Sequence, residues 1–344
     1  MAVMNRAVAP ADSAALPRRS LWRRMAETRL AYLYMLPALV VMAIITAYPL
    51  LYEVWMSFTN YGLKNLRQGS TPPDLVGLDN YVKILTSDLA IPNYDFVRLI
   101  SFNLFWAVSN VVIHVVLGVL IAVLLNTEGL WFKRVYRAIY ILPVVIPPMI
   151  VAAVWRNMFD EQAGPINNFL RVIGGLFGVP AQAFNIPWLE PSQSDPFPFI
   201  SLLPLAYFAM LIANVWLGWP LNSVVATGAL QSIPKELYEA ATIDGATGSQ
   251  QFLRITVPLL RPAMIPFAIL GFITTFNLFF LAYFLSGGGP FGRTEILVTQ
   301  AYRLVNEQHL YGVAAAFCII EFFILLTLSL IINRLGRATA SYDE

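Results

Sequence analysis

The sequence is poor in the residues from which soluble catalysts are built. Charged side chains make up 12% of its 344 residues, against ~25% in an average soluble domain, so a water-soluble globule is a poor fit. Its one cysteine, Cys318, excludes an intramolecular disulfide and any zinc site built on thiolates. Two histidines and scattered carboxylates offer no clustered metal ligands or acid–base pair of the kind a membrane enzyme would need. A G-x-x-x-x-G-K-[ST] phosphate loop is missing, so ATP hydrolysis is not this chain's work. A net charge of +2 supplies no basic field for nucleic acid. No repeat of ~20–50 residues points to a solenoid.

Apolar residues are abundant instead, at 58% with a mean hydropathy of +0.65. They gather into stretches close to the ~20 residues that cross hydrocarbon. These run roughly from Leu30 to Phe58, Ile100 to Leu125, Ala138 to Phe159, Phe199 to Leu221, Pro258 to Leu285 and Tyr311 to Asn333. The expected architecture is an all-α integral membrane protein of about six transmembrane helices, the first ended or kinked at Pro49. That first stretch is too long for the ~7–15-residue core of a cleavable signal peptide.

Orientation follows from lysine and arginine, which are retained on the cytoplasmic side of span ends. The N-terminal arm (Arg6, Arg18, Arg19, Arg23, Arg24, Arg29), Lys133 to Arg137, Lys235 to Arg261, and Arg334 with Arg337 fall on one side of a six-span topology and hold most of the 22 basic residues. Both termini are therefore expected in the cytoplasm. Residues 1–29 form an arm, 30–337 a transmembrane domain, and 338–344 a tail. Thr59 to Leu99 and Asp160 to Pro198, rich in Pro, Gly, Asn and Asp, read as outer loops with short helices.

One hydrophilic segment, at about 232–258, carries the most information. Pro234 suits the first turn of a helix whose Leu237, Ala240, Ala241 and Asp244 share a face. Gly245 can end it with a positive φ. Thr247 and Gln250 match a capping box for a second helix through Phe252 and Ile255, with Pro258 closing it.

Glu239-Ala240-Ala241, Gly245, Ile255 and Pro258 resemble, in type and spacing, the coupling loop of permease subunits in binding-protein-dependent ABC importers. Val257 stands where that family usually has leucine. Tyr48-Pro49-Leu50, Ser57-Phe58-Thr59, Gly77 to Tyr81 and Gly287 to Pro290 look like sugar-permease landmarks, and Asn214 to Pro262 is most similar to the larger permease subunit of maltose and maltodextrin importers. The large periplasmic insertion of the enterobacterial subunit is missing, and the N-terminal spans are fewer. The resemblance implies a type I ABC-importer permease bundle in a bacterial plasma membrane, without cofactor. It also implies a second permease subunit, two copies of an ABC ATPase docked at Glu239, Ala240, Ala241, Asp244 and Gly245, and a sugar-binding protein on the outer loops.

Polar residues inside spans usually face a bundle interior or cavity. Asn103, Asn110, His114, Asn214, Thr274, Thr275, Asn277 and Glu321 are the candidates. Asn214, Leu217, Gly218 and Leu221 form one stripe at i, i+3, i+4 and i+7. By resemblance, Asn214, Leu217 and Gly218 line a sugar site, and Leu221 replaces a tyrosine. Thr274 and Asn277, three apart, could complete it beside Thr275. Asn214 could instead make an interhelical hydrogen bond, and Gly218 could serve as a packing glycine as readily as a sugar platform. If Gly218 is a bare sugar platform, a bulky side chain there blocks uptake without preventing assembly.

Other functional classes fit these residues less well. A proton-coupled sugar transporter would use a relay, for which only His114 and Glu321 are available. An ion channel would show a carbonyl filter or charged ring. Leu285 to Gly289 looks like an ABC ATPase signature, but without a phosphate loop its glycines read as a turn after the fifth span.

Overall fold

A computed structural model describes residues 29–67, 69–127, 129–190 and 203–336. The expected arm before Arg29, the start of the fourth apolar stretch at Phe199, and the tail with Arg337 lie outside the described residues. The chain divides into two compact units, with the boundary between Glu53 and Val54.

Among the described residues the first unit holds one helix, α1, that runs from Arg29–Met42 through a π turn, Ala43–Ala47, into Tyr48–Ser57, whose last residues belong to the second unit. Pro49 cannot donate to the carbonyl four residues earlier. The turn widens just before it, Tyr48 N–H bonds to the Ala43 carbonyl, and the helix continues. The sequence placed an end or kink at Pro49; a π turn accommodates the proline instead. Every described side chain from Tyr32 to Tyr52 is exposed, and mean hydropathy across the span is 2.0. A helix apolar on all sides suits lipid or neighbouring membrane helices.

The second unit contains α2 (Asp79–Leu85), α3 (Phe96–Asn126), α4 (Lys133–Tyr140), α5 (Leu142–Val145), α6 (Pro148–Met158) and α7 (Pro165–Leu176). It continues with α8 (Leu205–Gln231), α9 (Lys235–Ile243), α10 (Gly248–Gln251), α11 (Val257–Phe276), α12 (Phe279–Leu281), α13 (Leu297–Asn306) and α14 (Tyr311–Gly336). Among the described residues five helical runs are long and apolar enough to cross a membrane, six if one bent pair counts as a single span. That pair, Val135–Val145 with Pro148–Met158, corrects the continuous helix expected from Ala138 to Phe159: it bends by 98°. Successive Pro147 and Pro148 force the residues before them out of helical geometry, and Ile146 is extended at ψ 127°.

Pro258 also behaves differently from expectation. It lies in the first turn of α11 rather than closing the second loop helix, because a π turn, Phe252–Thr256, joins α10 directly to α11. The fifth span then stops at Phe276 and resumes at α12, which ends in another π turn, Ala282–Ser286.

The corner after α1 explains two of the sequence landmarks. Asn80 Nδ2 donates to the carbonyls of Ser57 (2.9 Å) and Thr59 (2.8 Å), while Tyr81 and Ser57 hydroxyls lie 2.6 Å apart. Three apolar clusters among the described residues hold the bundle together, the smallest being Ala122, Ala226, Leu230, Leu260 and Met264. Of the two larger ones, Ile84, Phe96, Leu99, Phe272, Leu297 and Phe317 belong to one; Trp106, Phe159, Tyr207, Met210, Leu281 and Leu285 to the other.

Candidate functional site

The α3–α8 pair makes the most extensive helix contact in the bundle, and a glycine from each helix permits it. A Cβ on Gly118 would lie 2.5 Å from Asn222 Cβ and 2.9 Å from the Ser223 nitrogen; one on Gly218 would collide with the His114 imidazole. Small residues at such a crossing let two backbones approach closely.

Polar groups lace the same seam. His114 Nε2 lies 3.0 Å from the Asn214 carbonyl. Asn214 Nδ2 donates to Asn110 Oδ1 at 2.7 Å, and Asn110 Nδ2 donates to the Trp106 carbonyl at 2.7 Å. Asn214 thus makes the interhelical bond that its sequence position permitted. Asn103 and Trp106, on the same face of α3, serve the break in the fifth span. Asn103 Nδ2 and Trp106 Nε1 donate to the Phe276 and Thr275 carbonyls, each at 3.1 Å, and Asn103 Oδ1 accepts from Leu297 N–H at 2.6 Å. Helix ends away from water need such partners. Asn103 is therefore a cap for the interrupted helix and stands apart from the cavity.

A cavity of about 240 Å³ opens between α3, the α5–α6 bend, α8 and α11. Asn214, Leu217, Gly218, Leu221, Thr274 and Thr275 all line it. The structure does not bring Asn277 there: α11 ends one residue earlier, and Asn277, its C-cap, is exposed outside the lining. The pairing of Thr274 with Asn277 on one face fails because the helix does not last that long. Asn222 and Gly271 were missed. Asn222 donates to the Gly218 carbonyl at 3.0 Å, and its buried Oδ1 has no partner. It lies one residue beyond the Asn214–Leu221 stripe, although Asn222 is four residues after Gly218 and so was legible in the same periodicity.

No charged side chain lines this cavity. It presents amides, hydroxyls, the His114 imidazole, the Phe267 ring and aliphatic surface, a chemistry suited to a neutral solute that both donates and accepts hydrogen bonds. His114 is committed to α8, and Glu321, buried on α14 with Oε1 unpartnered, shares no hydrogen bond with it among the described residues.

At the far end of α8 and α11 lies the loop. Helix α9 ends in a Schellman motif: Ala246 N–H bonds to the Ala241 carbonyl (2.8 Å), Gly245 N–H to that of Thr242 (3.0 Å), and Gly245 has φ +77°. The Thr247–Gln250 capping box then opens α10. Tyr238 Oη lies 2.9 Å from Thr256 Oγ1, and Gln251 Nε2 donates to Thr242 Oγ1 at 2.9 Å, so both ends of α9 are fastened to the run entering α11. The outward surface exposes Glu239, Ala240, Asp244 and Gly245, with Leu237 44% and Ile243 87% accessible; Ala241 is half-buried.

A multi-span helical bundle with a fastened helical loop at one end and an uncharged cavity between its spans defines a membrane permease. Residues 114–339 match the family model described as "Binding-protein-dependent transport system inner membrane component", and the chain belongs to that family. It is 31% identical over 304 residues to the galactooligosaccharides transport system permease protein GanP of Bacillus subtilis (86% of this chain, 67% of that one). It is 31% identical over 317 residues to the trehalose/maltose transport system permease protein MalF of Thermococcus litoralis (90% and 95%). A chain of a bacterial ABC transporter involved in import of the acidic polysaccharide alginate shares the fold, with TM-score 0.70 and 22% identity over 93% of this chain and 99% of that one.

Proposed function

We propose that this chain forms half of the translocation path of an ABC importer for a neutral di- or oligosaccharide of the maltose/maltodextrin type. The observation carrying this reading is the convergence of Asn214, Leu217, Gly218, Leu221, Thr274 and Thr275 on one uncharged cavity. The two relatives are named for transport of galactooligosaccharides and of trehalose/maltose, which are saccharides too. Leu221 makes its own part of the cavity wall aliphatic, and Asn222 Oδ1 offers a free acceptor for a sugar hydroxyl.

In this reading a second permease subunit completes the path, two ATPase subunits receive α9 from the cytoplasm, and an extracytoplasmic binding protein delivers sugar to the outer loops. Both termini face the cytoplasm of a bacterium, and the chain itself needs no cofactor. The exposed apolar pair Leu237 and Ile243 would enter an ATPase cleft, with Glu239 pairing to a basic group there.

Uptake of labelled maltodextrins by cells with and without this chain tests the proposal. Loss of ATP-dependent uptake on deletion is expected. Uptake that survives ATP depletion but collapses with a protonophore would instead support the proton-coupled alternative.

A further inference from the structure

At the end of the bundle away from the coupling loop, a second pocket of about 330 Å³ lies between the chain before α3, the glycine-rich turn after α12, and α13. Bare backbone at Gly287–Gly289 forms part of its wall. Gly288 is required there: its φ is +77°, and a Cβ would lie 2.5 Å from Glu295 Cγ. Arg303 organises the floor. Its Nε lies 2.5 Å from Glu295 Oε1, Nη1 lies 3.1 Å from Glu307 Oε1, and Nη2 donates to the Gly287 carbonyl at 2.9 Å. The guanidinium also sits 5.5 Å above the Tyr283 ring. Arg98 is held by the Asn93 carbonyl.

Arg303 Nε, though ion-paired with Glu295, makes no aligned hydrogen bond, and Gln300 lacks even an ionic partner for its amide nitrogen. Gln300 is 2% exposed, lines the pocket, and its Nε2 has no hydrogen-bond partner. A buried donor without a partner is costly unless something else supplies an acceptor.

We propose that this pocket is a second saccharide site, separate from the α3–α8–α11 cavity, that holds the terminal ring of an oligosaccharide. The proposal rests on the sugar-importer reading. Sugar hydroxyls need donors and acceptors together, and the wall interleaves Gln300, Arg98 and Arg303 with Glu295 and Glu307. The charges nearest the floor are paired with one another, which disfavours a small ion, and no group of metal-binding side chains occurs among the described residues. Tyr94 and Phe291 supply aromatic surface for the apolar face of a ring. The volume lies at the lower end of the ~300–1,000 Å³ of small-molecule sites, sized for the end of an oligosaccharide.

The test uses the full assembly of both permeases and the ATPases in lipid nanodiscs, without binding protein, and titrates maltotriose by saturation-transfer NMR. Gln300→Leu should weaken binding about tenfold, the loss of one hydrogen bond, while thermal stability holds or rises because an orphaned amide has been replaced by an apolar group. A structural role for Gln300 would leave maltotriose affinity unchanged. Phe291→Ala, at a rim position 68% exposed, should also weaken binding. If the parent imports maltotriose and both variants bind it with parental affinity, this site is overturned and the importer reading stands. A parent assembly that imports no saccharide overturns both.

Discussion

Gly218 faces the cavity and also receives the His114 ring, and the two roles respond differently to a methyl group. In the packing role, Gly218→Ala drives a Cβ into an imidazole held by a 3.0 Å contact to the Asn214 carbonyl. The ring cannot move aside without losing that bond. Overpacking costs about 1–3 kcal/mol and the lost bond about 0.5–1.5 kcal/mol, so the single variant should lose roughly 2–4 kcal/mol. His114→Ala alone leaves a void and should cost about as much as other large-to-small core changes, ~2–5 kcal/mol. Together the new methyl occupies space the ring has vacated. The double variant should therefore be about 1–3 kcal/mol more stable than the sum of the singles predicts. The assay is a double-mutant cycle on thermal unfolding of the purified assembly, with sugar uptake measured in parallel. Additivity to within ~0.5 kcal/mol would refute the packing role. A Gly218→Ala protein of parental stability that fails to import sugar in both backgrounds would restore the bare-platform reading.

Three further outcomes are expected. Glu239→Lys or Gly245→Val should leave the chain inserted but abolish ATP-driven uptake and weaken ATPase retention on purification, since Gly245 holds φ +77° and α9 would lose its end; parental uptake with the ATPase still bound would contradict the coupling role. Cysteine placed at exposed Lys64 should be labelled from outside intact cells by an impermeant thiol reagent, while one at exposed Ser249 should not; reversed labelling would invert the topology. Burial raises the Glu295 pKa against the opposing pull of Arg303, so the folded chain holds this proton more tightly than the unfolded one. Its contribution then favours folding at low pH and declines as pH rises through the ordinary glutamate range to the raised value. Thermal midpoints across that range should fall less steeply in Glu295→Gln than in the parent, and parallel curves would exclude Glu295 as the cause.

What the sequence revealed depended on the range of the physics involved. The capping box at Thr247 and the glycine stop at Gly245 are local, so spacing alone located them. The stripe from Asn214 to Leu221 needed only helical periodicity, and it lines the cavity. Asn277 failed because its partnership with Thr274 assumed that α11 continues. The helix stops where Asn103 and Trp106, 173 and 169 positions away in the chain, donate to its last carbonyls. No local pattern announces that arrangement. The bend at Pro147 and Pro148 was legible, but hydropathy over Ala138 to Phe159 obscured two prolines in succession. The Gly118–Asn222 and Gly218–His114 contacts required knowing which helices pair.

The interrupted spans gain meaning from where they meet. In a membrane, freed backbone groups are tolerated when protein satisfies them or when they border a polar cavity. The bend between α5 and α6 and the break after α11 both border the same cavity, which is lined by Pro143, Ile146 and Pro148 from one and Thr274, Thr275 and Leu278 from the other. Helix α3 spans both levels without interruption, satisfying the break with Asn103 and Trp106 and fixing α8 with His114. From the opposite end, α10, its π turn and α11 form one helical run from Gly248 to Phe276. Thr274 and Thr275 on the cavity wall and Thr256, to which α9 is fastened, therefore lie on a single element. A displacement of α9 that did not move that wall would have to break the Tyr238–Thr256 contact or bend the run, and its π turn, Phe252–Thr256, and interior Pro262 and Pro266 are the places where it can bend. In the proposed importer, force applied at the loop would reach Thr274 and Thr275 on the cavity wall through this continuous helical run.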